Sequence, residues 1–141
     1  MKSKQQIEGD KTEAIIAKAF KEKGYWAYIT PKKTNGQPVD IIAMKEGVNW
    51  LVDAKHLEET KKSFPFSRIE PNQIDSLTYA KQKSGIKNLG FVIGQGNNDF
   101  KLFFLSFDKL IELMKNDVKS IKISELEDFV ELLENESKNK W

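Results

Sequence analysis

Two short apolar segments, joined by a polar step, carry ionisable side chains where core residues are expected. The first runs Val39-Asp40-Ile41-Ile42-Ala43-Met44 and the second Trp50-Leu51-Val52-Asp53-Ala54-Lys55-His56, with Glu46-Gly47 between them. Apolar runs of this length, bounded by turn residues, read as a pair of strands over 39–44 and 50–56. Strand side chains alternate in direction, so Asp53 and Lys55 share one face, and Ala54 and His56 the other. Burying a carboxylate or an ammonium is costly unless the group is paired or metal-bound. A sheet that accepts Asp40, Asp53 and Lys55 in such surroundings is expected to hold a site there.

The rest of the chain supplies the frame. Residues 6–23 read as a helix with Ile7, Ala14, Ile15, Ala17, Ala19 and Phe20 as its apolar positions and Gly24 as its stop. Tyr25 to Ile29 reads as a strand, and Pro31 to Pro38 as a polar loop with an Asn35-Gly36 turn. Residues 57–70 read as irregular, with Lys61, Lys62 and Arg68 around Phe64-Pro65-Phe66. Pro71 opens a helix that ends at Gly85. Strands follow over 89–93 and 100–105. The Gly94–Asn98 stretch between them lacks the P-loop lysine and the dinucleotide fingerprint, so it reads as a hairpin turn. Ser106 and Ser124 are expected to cap two final helices, Ser124 and Glu127 having capping-box spacing. The order predicts one domain over 1–141, with a core over about 8–123 and an acidic C-terminal helix over 124–138. Its class is α/β, a mixed five-stranded sheet flanked by α-helices.

Composition removes several function classes. The 141 residues suffice for one domain with a core, and the lack of cysteine excludes disulfides and thiolate zinc sites. No apolar run approaches a membrane span, and Met1 to Gln6 lacks the apolar core of a secretory signal, so a cytoplasmic protein with no membrane partner is expected. The net charge of +2 is unevenly placed. Residues 124–141 hold six acids against Lys138 and Lys140, a net of −4, so residues 1–123 carry +6. A positive body suits a phosphate backbone, although a solvated lysine-rich surface gives the same count.

A third acid joins the first two. Glu13 stands at helical spacing from Ala17 and Phe20, on or beside the apolar stripe. Asp-x-Lys alone is often a surface ion pair. The acid thirteen residues upstream and the helical Glu13 narrow the choice. Carboxylates of Asp40 and Asp53, the Ala54 backbone carbonyl, and Glu13 directly or through water form a hard-oxygen set that suits Mg²⁺. Such an ion acidifies a bound water and neutralises charge on a phosphoryl oxygen. Lys55 beside it could orient or deprotonate the attacking water, or contact the phosphate. The reaction implied is hydrolysis of a phosphodiester.

Pro38-Val39-Asp40 with Asp53-Ala54-Lys55 resembles the PD-(D/E)xK nuclease signature. The thirteen-residue step and the Gly9-x-x-x-Glu13 helix are similar to Holliday junction resolvases. Ser63-Phe64-Pro65-Phe66, then Gln73-Ile74 and Lys119-Ser120-Ile121, resemble the RecU-type resolvases of bacteria and their phages. The resemblance implies a restriction-endonuclease-like core, metal ligands at Asp40 and Asp53, a catalytic Lys55, a supporting Glu13, and Gln73 near the site. It implies a cytoplasmic, nucleoid-associated homodimer that cuts four-way DNA junctions with Mg²⁺ or Mn²⁺. Arg68 becomes a DNA contact, and Lys32, Lys33, Lys61, Lys62 and Phe64 join it as the expected DNA-binding set. Three features depart from the family. The second acid is Asp53 where Glu is usual, the protruding insertion before the first acid is reduced to Pro31–Gln37, and the basic N-terminal tail is reduced to Lys2 and Lys4. Cleavage of another DNA target (a flap, an end or a duplex site) and an inactive DNA-binding module are therefore the alternatives.

His56 is expected to hold a structural position on the face opposite Lys55. Phe64 and Phe66 admit two readings, a wedge against DNA or an anchor of the basic loop in the core.

Overall fold

The computed structural model describes residues 2–31, 39–96 and 99–138, the last two without their side chains. Helix α1 (Lys4–Glu22) begins at a capping box in which Ser3 and Gln6 satisfy each other's backbone N–H groups. Strands β1 (Trp26–Ile29), β2 (Ile41–Lys45) and β3 (Val48–Leu57) follow as an antiparallel meander. The β2–β3 turn consists of Glu46 and Gly47, both at positive φ, +34° and +86°. That is the primed geometry that matches strand twist in two-residue hairpins. Strand β4 (Ser63–Pro65) and helix α2 (Pro71–Ser84) form the crossover to β5 (Asn88–Gln95), which lies parallel to β3. Strand β6 (Lys101–Ser106), helix α3 (Phe107–Lys115), strands β7 (Ser120–Lys122) and β8 (Glu127–Asp128), and helix α4 (Phe129–Lys138) complete the order. The main sheet runs β1-β2-β3-β5-β6-β8, and β4 pairs with β7 in a small second sheet.

Each face of the main sheet buries its own core. On one side Ile16 and Phe20 of α1 and Phe129 and Leu133 of α4 pack on Trp50, Val52, Val92 and Phe104. Phe20 and Phe129 meet the Trp50 indole edge-to-face, with centroids 5.9 and 5.6 Å apart, a geometry the ring quadrupoles favour. On the other side Leu77 of α2, Phe107 and Leu110 of α3, and Phe64 and Ile121 of the small sheet cover Leu57, Phe91, Ile93 and Leu105. Gly94 lets α1 close on β5, since a Cβ there would stand 2.9 Å from the Thr12 methyl.

The mixed sheet flanked by helices agrees with the sequence, and the 71–84 helix is met in full, with Gly85 left-handed at its end. Three differences stand out. Among the described residues the main sheet has six strands rather than five, and residues 63–65 and 120–122, short of any periodicity, pair across the chain. The acidic helix starts at Phe129, not at residue 124. Ser124 sits in a 3-10 turn, Glu127 and Asp128 pair with β6, and Asp128 Oδ1 accepts the Glu131 N–H at 2.9 Å. Burial of Phe129 and Leu133 against the Trp50 face fixes that start and overrides the Ser124–Glu127 spacing. The expected Asn35-Gly36 turn, Asn97, Asn98 and Trp141 lie outside the described residues.

Candidate active site at a fork in the sheet

Strand β3 is the longest in the sheet, and β2 accompanies only its first half. The β2 register ends at Ile41 opposite Val52, whereas β5 follows β3 from Trp50 to Leu57. Beyond Val52 the edge of β3 that faces β2 therefore opens into a fork. Backbone groups there still need partners, and side chains supply them. Asp40 Oδ2 accepts the Ala54 N–H at 2.8 Å, and Asp53 Oδ1 accepts the Asp40 N–H at 3.1 Å. The two carboxylates are thus cross-laced to the backbone at the point where the strands part.

Both acids are buried, Asp53 with 1% exposure. The second oxygen of Asp53 accepts no hydrogen bond. Its charge interacts with the Lys55 ammonium, two residues along the same face. Lys55 Nζ donates to Gln73 Oε1 on α2 at 3.0 Å. Burial pushes the Lys55 pKa below 10.5. The Asp53, Asp40 and Glu70 charges oppose the shift, and the Arg68 charge adds to it. Strand alternation places Asp40, Asp53 and Lys55 on the α2 side with Ile42 and Leu51.

Glu13 comes from the other layer. It is buried at 6% exposure on α1, which packs on the Trp50–Val52–Ala54 face. Glu8 of the same helix meets His56 Nδ1 at 3.2 Å. Thr12, beside Glu13 on the helix, lies against Gly94 of β5, the register partner of His56. Among the described residues no three Asp, Glu or His side chains form a group able to hold a metal ion.

Asp40, Asp53 and the Ala54 carbonyl nevertheless fit a small hard cation. In an extended strand the N–H and C=O of one residue point to the same edge. The Ala54 carbonyl therefore faces the fork together with its N–H, beside Asp40 Oδ2. Two carboxylates and a carbonyl, all oxygen, suit Mg²⁺, which keeps several waters and favours sites completed by substrate phosphate.

The remaining expected residues divide. Lys61, Lys62 and Arg68 are exposed, and Arg68 lies over the Phe64 ring and donates to the His56 carbonyl. Phe64, expected among the DNA contacts, is fully buried at 0% exposure, so it anchors the loop rather than touching solvent. Phe66 is buried as well. His56 holds its structural place, bonded to Glu8 and Gly96. Lys32, Lys33 and Pro38 lie outside the described residues. A cleft of about 520 Å³ opens past the end of β3, lined in part by His56, Lys61 and Arg68. Sequence reasoning missed it because β4 and β7, which wall it, have no sequence signature.

The sequence profile of one family, described as Recombination protein U (RecU), matches residues 5–140. No curated protein matches the chain by sequence. Among solved structures, the chain is similar to the 1.6 Å structure of Archaeoglobus fulgidus Hjc, a Holliday junction resolvase from an archaeal hyperthermophile. The TM-score is 0.62 at 12% identity, over 89% of this chain and 99% of that one, a likeness of fold. With a profile spanning nearly its whole length over a resolvase fold, the chain belongs to the Recombination protein U family.

Proposed function

We propose that this chain is a divalent-metal-dependent endodeoxyribonuclease that hydrolyses phosphodiester bonds in branched DNA, with the Holliday junction as its substrate. The observation that carries the reading is the fork, where Asp40 and Asp53 are laced to the backbone beside a lysine held by Gln73. Asp40, Asp53 and the Ala54 carbonyl would hold Mg²⁺, for which Mn²⁺ could substitute, and Glu13 would support them from α1. When bound, the cation supplies charge neutralisation at the phosphoryl oxygens and an acidified water. Lys55, its pKa lowered by burial, directs the attacking water and takes up or shares its proton. Gln73 fixes the Lys55 Nζ by its amide oxygen. Lys61, Lys62 and Arg68 engage phosphates along the cleft past β3, and Lys32 and Lys33 complete the proposed DNA-binding set.

Resolving a four-way junction takes two cuts, so two copies of the site are needed. The sheet face at β1 and β2 supports a homodimer. Trp26 and Tyr28 stack with planes 1° apart, are 58% and 44% exposed, and adjoin the exposed Met44 in register. Exposed aromatic patches of this kind mark protein interfaces. No helix among the described residues is long and apolar enough to cross a membrane, and the place of action is the cytoplasm, at the DNA.

The test is cleavage of a mobile four-way junction, a flap and a linear duplex side by side, with Mg²⁺ titrated. Paired symmetric cuts in the junction, lost on chelation and in Asp53→Asn, are expected. Equal rates on all three substrates would leave a nuclease with another target. Junction binding without cleavage in either metal would leave a binding module.

A further inference from the structure

We infer that the backbone N–H of Glu70, at the start of α2, is a positioning group for Lys55 that acts through the Gln73 side chain. The inference rests on the nuclease reading for its consequence in rate, but not for its geometry. Gln73 Oε1 accepts two hydrogen bonds, from Lys55 Nζ at 3.0 Å and from the Glu70 N–H at 3.0 Å. Both are donors here, so one orientation of the amide serves both, and a flipped amide would present its NH₂ to two N–H groups and lose both bonds. The Glu70 N–H therefore selects the orientation in which Lys55 meets an acceptor.

That N–H is itself fixed. Glu70 is the N-cap residue, its carbonyl accepting the Gln73 N–H at 3.0 Å, and Pro71 presets the first helical turn. The segment leading to it is pinned as well. The Phe66 N–H donates to the Lys119 carbonyl at 2.9 Å, and the Arg68 guanidinium donates to the His56 carbonyl at the end of β3. The end of β3 and the start of α2 are thus tied together, and Gln73 closes the loop onto the lysine of β3. Without this tie Lys55 has the rotamer freedom of a four-carbon stem.

Glu70 has φ −80° and ψ 148°, and Ile69 before it is extended at φ −96° and ψ 122°. Proline is tolerated at such a position. Glu70→Pro therefore deletes the N–H while leaving the backbone path, and Glu70→Ala deletes only the side chain. In single-turnover cleavage of a four-way junction with Mg²⁺, Glu70→Pro is expected to be slower than Glu70→Ala by roughly ten- to a hundred-fold at equal junction affinity. The difference should vanish in a Gln73→Ala background. Side-chain NMR of the metal-free protein should show Lys55 Nζ more mobile in Glu70→Pro than in Glu70→Ala. Hydrogen exchange reads the bond without a proline: the Glu70 amide should be protected in the wild type and in Gln73→Glu, and exposed in Gln73→Met. Equal rates and equal Lys55 order in the two Glu70 variants, a difference that persists without Gln73, or an unprotected Glu70 amide would overturn the inference. A wild-type chain that cuts no DNA would remove the nuclease reading while leaving the NMR and exchange results to decide the positioning role.

Discussion

The two halves of β3 make opposite use of one strand. From Val48 to Val52 it is flanked by β2, β5 joins on the other edge at Trp50, and the half buries Trp50 and Val52 among aromatic rings. From Asp53 to Leu57 it keeps β5 but has lost β2, and here it carries Asp53, Lys55 and the backbone N–H that Asp40 caps. The difference is one missing ladder. Where both edges are paired, the backbone has no use for a carboxylate, and an apolar side chain stabilises most. Where one edge opens, the unmet backbone groups offer a carboxylate the partners that make its burial tolerable.

The comparison can be broken first at the open half. Asp53→Asn and Lys55→Met should each slow junction cleavage about a thousandfold. The melting temperature of Asp53→Asn should hold or rise, because a buried charge is weak evidence of stability. A large fall in melting temperature with cleavage retained would reverse the assignment of the two halves.

At the closed half the effect moves to stability. Trp50→Ala should destabilise by about 3–5 kcal/mol in denaturant titration. The protein that remains folded should keep its cleavage rate per molecule.

The pH dependence sharpens the contrast. The Lys55 pKa is lowered in the fold, so the neutral amine gains as pH rises, and the cleavage rate should climb with pH and level off below 10.5. The unfolded chain binds that proton more tightly. The Lys55 contribution to stability is therefore fully present above 10.5 and is lost as pH falls through the lowered folded value. Lys55→Met should flatten both profiles, and unchanged profiles would show that another group titrates.

Smaller effects belong to the borders. Lys61→Ala and Lys62→Ala should each reduce the slope of log affinity against log salt by about one. Phe64→Ala should lower stability instead and leave that slope alone, since the ring is buried. Trp50→Phe, which removes the indole donor to Glu136 and Tyr25, should cost about 1 kcal/mol.

The sequence made the charged strand pair legible because ionisable residues interrupt runs that are otherwise apolar. The α2 helix was legible because Pro71 and Gly85 bracket it. The second sheet was not. Three-residue strands have no period to read, and their partners lie far apart in the chain. The start of α4 was misread because capping-box spacing is a local signal, and the tertiary burial of Phe129 outweighs it. Phe64 looked like a surface contact because its neighbours are basic, yet β7 and the Arg68 guanidinium enclose it. The side of the sheet from which Glu13 approaches depends on helix packing across Gly94, which no pattern in α1 encodes.

The Glu46-Gly47 turn has a reach out of proportion to its size. Side-chain direction alternates along a strand, so adding or removing one residue there would rotate every position of β3 by half a revolution relative to β2. Asp53 and Lys55 would then be thrust among the rings that surround Trp50, and Ala54 and His56 would take their place beneath α2. A two-residue bend at the far end of the hairpin thereby acts as the keying of the whole face that carries Asp53 and Lys55, and length variation in this family should be scarce there.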